Sequence, residues 1–97
     1  MADVIVLPRA EDGLESIWLH IAEDNETAAD GVVRAIGEKI QRLRNFPEIG
    51  SPRRDLGPSI RMLVHRRYVV LYEYKADEDL VEVLVIVDGA RDLSQLV

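Results

Sequence analysis

The sequence contains no cysteine and only two histidines, and aromatic residues occupy 5% of its 97 positions. Without cysteine the chain cannot form disulfides or thiolate metal sites, and His20 and His65 are too far apart in sequence to suggest a zinc site. No apolar run approaches the roughly 20 residues that span a bilayer, and the N-terminus lacks the basic start and long apolar stretch of a signal peptide. We therefore expect a cytoplasmic protein that uses no metal or other cofactor.

The chain does have enough apolar sequence to build a core, because 47% of its residues belong to the apolar set. A length of 97 residues suits one domain and is too short for two. No repeat, low-complexity tract or long linker divides the sequence. We therefore predict a single domain over residues 1–97.

The formal charge of −6 argues against a nucleic acid as the main partner, because phosphate contacts require lysine and arginine. We therefore expect no direct binding of nucleic acid, and no association with a membrane. The charge is unevenly distributed, and positions 34 to 67 hold nine basic residues: Arg34, Lys39, Arg42, Arg44, Arg53, Arg54, Arg61, Arg66 and Arg67. A local basic face is therefore compatible with the overall acidity.

The first half of the chain predicts one strand and two helices. Residues 3–7 are a β-branched run typical of a strand, which Pro8 ends. Two apolar stripes at helical spacing follow; the first is Leu14, Ile17, Trp18, Ile21 and Ala22, and the second is Ala29, Val32, Val33, Ile36, Ile40 and Leu43. We expect Asn25 or Thr27 to cap the second helix, and Trp18 to lie in the core or where the helices meet the sheet. Gly31 and Gly37 either weaken the second helix or permit close approach of the first.

The second half predicts a loop and three strands. Residues 45–59 hold three prolines and two glycines and should form a loop. Strands are expected at 60–65, 68–74 and 80–87, with Arg66-Arg67 as a tight hairpin turn and 90–97 as a short helix or ordered tail. The fold class is therefore α+β, in the order β-α-α-β-β-β, with a helical hairpin packed on a mostly antiparallel sheet. Because residues 80–87 are apolar on both faces, the loop, the tail or a partner must cover the second face.

Four segments, in this order and spacing, resemble the ParE branch of the ParE/RelE toxin superfamily. They are Ala-Glu-Asp-Gly-Leu-Glu-Ser-Ile-Trp-Leu-His-Ile-Ala (10–22), Ile-Gln-Arg-Leu-Arg-Asn-Phe-Pro-Glu-Ile-Gly (40–50), Ile-Arg-Met-Leu-Val-His-Arg-Arg-Tyr-Val-Val-Leu-Tyr-Glu-Tyr (60–74) and Val-Asp-Gly-Ala-Arg-Asp-Leu (87–93). The resemblance implies the toxin of a type II toxin–antitoxin pair, neutralised by a ParD-like antitoxin that fills an exposed apolar groove. It also implies DNA gyrase as the target, inhibited by binding rather than by catalysis. The alternatives are a ribosome-dependent mRNA endonuclease, as in the RNase branch, and a decayed toxin that only forms complexes.

Arginines are the first candidates for a site. In the RNase branch of the family, the arginine that matches Arg61 helps to hold the scissile phosphate. Arg61 here is either such an anion-binding or target-contacting group, or one half of a structural ion pair. Arg91 is either a second cationic group beside Arg61 or the partner of Asp88 or Asp92. Arg53 and Arg54 are either a solvated pair or contacts for an acidic antitoxin segment.

Tyrosines and histidines are the other candidates. Tyr68, Tyr72 and Tyr74 should share one strand face, and we expect Tyr72 to pack in the core while Tyr68 and Tyr74 either pack or contact the antitoxin or target. His20 is expected on the surface and His65 in a solvated turn. An RNase needs a general base and acid, yet residues 88–97 contain no histidine, tyrosine or lysine. This departure from the family's RNases favours a binding function, in which the tail at 94–97 contacts the target without being needed for folding.

Overall fold

The computed structural model describes all 97 residues and contains two helices and five strands. Strand β1 is Asp3–Val6, α1 is Pro8–Ala22, α2 is Glu26–Gln41, β2 is Ser51–Pro52, β3 is Ile60–His65, β4 is Tyr68–Lys75 and β5 is Leu80–Asp88, and short 3-10 helices lie at Arg42–Arg44 and Leu93–Gln95. The predicted α+β class and strand–helix–helix–strands order are confirmed. The predicted loop differs in one respect, because β2 forms within it.

The five strands form one mixed sheet in the order β1-β5-β4-β3-β2. Strand β1 runs parallel to β5, and every other neighbouring pair is antiparallel. Pro52 is tolerated in β2 because β2 is an edge strand, where a missing N–H interrupts no ladder. The turn between β3 and β4 is tight, as predicted, and Arg66 adopts a left-handed backbone with φ 56°.

The two helices pack as an antiparallel hairpin on one face of the sheet. Asn25 caps α2 by accepting a hydrogen bond from the backbone N–H of Ala28 at 3.0 Å, which decides between the two predicted caps. The helices contribute Ala10, Ile17, Val32, Ile36 and Ile40 to a first core, and the sheet contributes Tyr68, Val70, Tyr72, Val81, Val83 and Ile86. The second helical stripe is therefore the better predicted of the two.

Trp18 was predicted to lie in the core or at the sheet, and this prediction is wrong. Its side chain is only partly buried, and its Nε1–H donates to Asp30 Oδ1 at 2.8 Å. Trp18 therefore ties α1 to α2 near the surface. The apolar spacing that suggested a core position could not reveal that the indole N–H would find an acceptor on the neighbouring helix.

Glycine permits one close approach in the fold, at Gly13 in α1. A Cβ at this position would collide with the backbone carbonyl of Ile86 in β5, so α1 can lie against the sheet only with glycine there. Gly31 and Gly37 have open space where a Cβ would be. The suggestion that they allow the helices to approach is therefore wrong.

A second core covers the opposite face of the sheet. It contains Ile60, Val69, Leu71, Val85, Val87, Leu93 and Leu96, with Leu56, Met62 and Leu84 packed against it. The chain thus supplies its own cover, from the end of the long loop and from the C-terminal tail. The tail is held by Arg9 in α1, whose Nη1 donates to the carbonyl oxygen of Leu96 at 2.7 Å.

An irregularity in β5 explains why its sequence is apolar on both faces. The register between β4 and β5 shifts between Leu71 and Tyr72, so that Leu84 is an additional residue in β5. This β-bulge changes which alternate residues face the helices. Val81 and Val83 belong to the first core on one side of the bulge, whereas Val85 and Val87 belong to the second core on the other.

Candidate functional site

Arg61 lies early in β3 and is engaged with the loop that precedes it. Its Nη1 donates to the carbonyl oxygens of Glu48 at 2.9 Å and Gly50 at 2.8 Å, and its Nη2 lies 3.4 Å from the Glu48 carboxylate. The side chain is 25% exposed. This arrangement favours the structural interpretation of Arg61, because both Nη1 donors bind carbonyl oxygens of the chain itself.

Tyr72 holds the same loop from the core side. Its hydroxyl oxygen accepts the backbone N–H of Gly50 at 2.9 Å, and burial raises the pKa of this phenol. Tyr74, two residues further along β4, donates from its hydroxyl to Asp79 Oδ1 at 2.7 Å, and this hydrogen bond raises its pKa. Both hydroxyls therefore have partners within the chain.

A pocket of about 230 Å³ adjoins these groups, and we call it the Arg61 pocket. Its polar lining includes Glu48, Arg54, Ser59, Arg61 and Tyr74. Arg54 is exposed and forms no ion pair, whereas Arg53 makes two hydrogen bonds to Asp55, at 2.9 and 2.7 Å. These contacts lower the pKa of Asp55. Of the two adjacent arginines, only Arg54 keeps its donors available for a partner.

Arg91 follows β5 and borders a cleft of about 310 Å³, which we call the Arg91 cleft. The lining includes Ser16, His20, Tyr68, Asp88 and Arg91. The expected ion pair between Arg91 and Asp88 or Asp92 does not form. Asp88 pairs with Arg67 instead, and Asp92 caps the last 3-10 helix by accepting from the Ser94 N–H at 3.1 Å and hydroxyl at 2.6 Å.

The same cleft contains one of the candidate tyrosines. Tyr68 is 9% exposed and packs in the first core, on the same side of β4 as Tyr72. The three tyrosines therefore share one face, as predicted, and that face is directed towards the helices. Only the rim of Tyr68 that lines the cleft is open to a partner.

Arg61 and Arg91 do not lie beside each other, and this part of the prediction is wrong. Arg61 pairs with Tyr72 across the sheet, whereas Asp88, close to Arg91, pairs with Tyr68. Tyr68 and Tyr72 are four residues apart on β4, a separation of about 13 Å along the strand. The two arginines therefore belong to separate pockets at different ends of the sheet.

Neither histidine lines the Arg61 pocket. His65 ends β3, and its pKa is lowered by burial and then by the positive charges of Lys39 and Arg66. An orienting carboxylate would raise the pKa instead, and none acts on His65. His20 lies exposed on α1, as expected. No three side chains of the histidine, aspartate or glutamate type gather where they could hold a metal ion.

A hollow lined mainly by apolar residues lies on the second face of the sheet, which the sequence predicted to be covered by the loop, the tail or a partner. We call it the tail groove; it measures about 380 Å³ and is lined by Leu7, Arg9, Leu56, Gly57, Pro58, Ile60, Glu73, Leu84, Val85, Leu96 and Val97. The sequence signal for a packed tail is the spacing of Leu93 and Leu96, because two leucines three residues apart suggest one turn of helix with a buried side. The tail at 94–97 is therefore part of the packed structure rather than a free extension.

No helix in the structure combines the length and apolar character needed to cross a membrane. Residues 4–93 match the family model described as the ParE toxin of the type II toxin–antitoxin system parDE. No curated protein matches the chain.

A solved structure of the chromosomal ParDE toxin–antitoxin system from P. aeruginosa has a similar fold. It matches with a TM-score of 0.75 and 21% identity, covering 91% of this chain and 96% of the other. The order of elements, the helical hairpin and the mixed sheet agree with that likeness in fold, and the family model spans nearly the whole sequence. The chain belongs to the ParE toxin family of type II toxin–antitoxin systems.

Proposed function

We propose that this ParE-type toxin inhibits DNA gyrase by binding in the cytoplasm, without catalysis, and that a ParD-like antitoxin neutralises it. The observation that carries the proposal is the separation of Arg61 from Arg91. An RNA-cleaving site needs cationic groups converging on one phosphate, together with a base and an acid within about 3 Å of the reacting protons. Arg61 is instead occupied by the loop carbonyls of Glu48 and Gly50.

The groups available for proton transfer support the same conclusion. His65 lies among cations, the hydroxyls of Tyr72 and Tyr74 are hydrogen-bonded within the chain, and His20 lies apart from Arg61. An inhibitor that works by contact needs only a shaped surface with free donors. Arg54 in the Arg61 pocket and Arg91 in its cleft are such donors, and we assign them to contact with the antitoxin or target.

The remaining candidate residues have supporting roles. Arg61 and Tyr74 line the Arg61 pocket, Arg53 is held by Asp55, and Tyr68 lines the Arg91 cleft. The tail groove is the apolar surface that suits a segment of the antitoxin. Its charged margins, Arg9 and Glu73, offer one group of each sign for an amphipathic segment.

Two assays on purified toxin, freed from its antitoxin, test the proposal. We expect inhibition of plasmid supercoiling by gyrase, and intact mRNA in a translating extract. Codon-phased mRNA cuts that disappear in Arg61→Ala would overturn the assignment in favour of the endonuclease. A folded toxin that affects neither assay and does not slow growth would also overturn it, and would leave only complex formation.

Charge reversal at the two free arginines then tests where contact occurs. We expect Arg91→Glu or Arg54→Glu to weaken gyrase inhibition or antitoxin binding at an unchanged melting temperature. The matched control is Thr27→Glu, which adds negative charge at an exposed position of α2 that lines neither pocket. If both arginine variants behave like the control, these residues do not make the contact.

A further inference from the structure

A group of cations near the C-terminal end of α2 has no carboxylate partner. The four ion pairs in the structure use Arg53, Arg61, Arg67 and Lys75. Lys39 and Arg42 line one hollow together with Ile49, Leu63 and Val64. Arg66 begins the hairpin turn after β3, and its charge and that of Lys39 both act on His65. We call these six residues the Val64 face. Although the net charge of the chain is −6, the cations of this face have no ion-pair partner.

The Val64 face also exposes apolar side chains. Val64 is 48% exposed and Ile49 is 51% exposed, and Phe46, whose carbonyl accepts the Ile49 N–H, is 57% exposed. These are three of the seven large apolar residues that the chain leaves exposed. An exposed apolar patch bordered by charged side chains is typical of a protein-binding surface.

The third feature of this face is an open strand edge. Strand β2 pairs with Arg61 and Met62 of β3, and the Ile60 carbonyl accepts the Arg53 N–H at 2.8 Å, so residues 63–65 are the part of β3 without an outer strand. His65 and Tyr68 flank a two-residue turn and form the hydrogen-bonded pair, which directs the N–H and C=O of Val64 away from β4. Lys39 Nζ donates to that carbonyl oxygen at 2.8 Å, so the side chain of Lys39 lies over this part of the edge.

We propose that the Val64 face docks an extended, acidic segment of a protein partner, which pairs with the open edge of β3 at Val64. Backbone hydrogen bonds supply the attachment, apolar side chains of the segment cover Ile49 and Val64, and its carboxylates meet Lys39, Arg42 and Arg66. Strand addition to an exposed edge is a general mode of peptide recognition. This surface is separate from the Arg61 pocket, the Arg91 cleft and the tail groove, so the proposal does not depend on the target.

The charge and the exposed apolar side chains of the Val64 face indicate which kind of partner it binds. A second copy of this chain would bring the same cations against Lys39, Arg42 and Arg66, and the repulsion would oppose pairing. A nucleic acid would satisfy the cations but leave Phe46, Ile49 and Val64 without apolar cover. An acidic peptide with apolar residues at alternate positions satisfies both requirements.

The test measures binding of defined peptides to the full chain by fluorescence anisotropy. The probe is a fluorescein-labelled peptide in which glutamate and valine alternate over about eight residues, and its counterpart has lysine in place of glutamate. We expect the acidic peptide to bind and the lysine peptide not to bind. Binding of the acidic peptide should be tighter at low salt. Hydrogen exchange at the Val64 amide should slow on binding, because that N–H becomes paired.

Three variants make the test specific. Val64→Glu and Arg42→Gln should each weaken acidic-peptide binding by about tenfold or more, equivalent to ~1.4 kcal/mol. The matched control is Leu19→Glu, which also replaces an exposed apolar side chain, 55% exposed on α1, and should bind normally. Circular dichroism checks that each variant is folded. If Val64→Glu is unfolded, the effect of Arg42→Gln on binding decides the outcome.

Three results would overturn the proposal. They are equal binding of the lysine peptide, binding that neither face variant changes, and preferential binding of a labelled single-stranded oligonucleotide that Arg42→Gln weakens. Failure here leaves gyrase inhibition intact, since the supercoiling assay does not involve this peptide. The two proposals can therefore fail separately.

Discussion

The hydroxyl oxygen of Tyr72 accepts the backbone N–H of Gly50 at 2.9 Å, and this hydrogen bond joins the middle of the sheet to the long loop. Gly50 is buried, so its N–H has no access to water. A Cβ on Gly50 would lie 2.7 Å from the Tyr72 ring and hydroxyl. The loop therefore approaches the sheet as closely as the absence of a side chain allows.

Replacing Tyr72 by phenylalanine tests this link. The ring would still fill the core, but the buried N–H of Gly50 would lose its acceptor, which typically costs about 1–3 kcal/mol. We expect a lower free energy of unfolding in urea, with an unchanged denaturant slope. Equal stability of Tyr72→Phe and the wild type would mean that the hydrogen bond contributes nothing.

Arg61→Ala should destabilise the fold by about 2 kcal/mol, because it removes charge-assisted hydrogen bonds to two loop carbonyls. For a domain of this size, each kcal/mol lowers the melting temperature by about 4–8 °C. Arg61→Lys keeps the charge but loses the two-pronged donor geometry, and should lie between. If toxicity falls in Arg61→Ala while the melting temperature does not, Arg61 is a contact residue instead.

Leu96 tests whether the tail belongs to the core. Leu96 is 8% exposed, and truncation of a buried leucine to alanine costs about 2 kcal/mol or more. We therefore expect Leu96→Ala, and deletion of residues 94–97, to lower the melting temperature. The control is Val97→Ala, where the side chain is 46% exposed and the loss should be under about 0.5 kcal/mol. A deletion as stable as the wild type would contradict the structure.

Gly13 and Gly37 form a matched pair of helical glycines. Gly13→Ala places a Cβ against the Ile86 carbonyl and should cost about 3 kcal/mol or more, since backbone cannot yield as a side chain can. Gly37→Ala meets open space and should stabilise α2 by about 0.5–1 kcal/mol. Thermal unfolding of the two variants should therefore shift in opposite directions. A shift of the same sign in both would show that α1 does not lie against β5 as described.

His65 gives the expected pH dependence. Its pKa in the folded state lies below the ordinary 6.5 because of burial and the nearby charges of Lys39 and Arg66. The unfolded chain therefore binds a proton more readily, and stability falls as the pH decreases below about 6.5. Thermal melts of wild type and His65→Gln at several pH values should diverge in that range. Parallel curves would show that His65 titrates alike in both states.

The sequence predicted elements well where a periodic pattern decided them. The apolar stripe of α2 and the three later strands appear almost at the predicted residues, because burial on one face imposes spacing on the sequence. The resemblance to the ParE family rests on the same segments. Strand β2 was missed because its pairing depends on β3, and two residues have no period of their own.

The candidate site was less accessible to sequence reasoning. Arg61 and Arg91 looked equivalent in the sequence, but strand register, which depends on the whole sheet, places them at different ends. Arg53 and Arg54 are adjacent, and only the structure shows that Asp55 occupies one and leaves the other free. Which cation is neutralised is a matter of tertiary geometry, and the spacing of charges does not determine it.

The bulge at Leu84 has a consequence for how the protein unfolds. Because β5 gives Val81, Val83 and Ile86 to one core and Val85 and Val87 to the other, neither core can lose its packing while the strand between them stays in place. The two faces of the sheet should therefore melt together, in a single cooperative transition. Separate subdomains with distinct stabilities are not available to a chain in which one strand serves both cores.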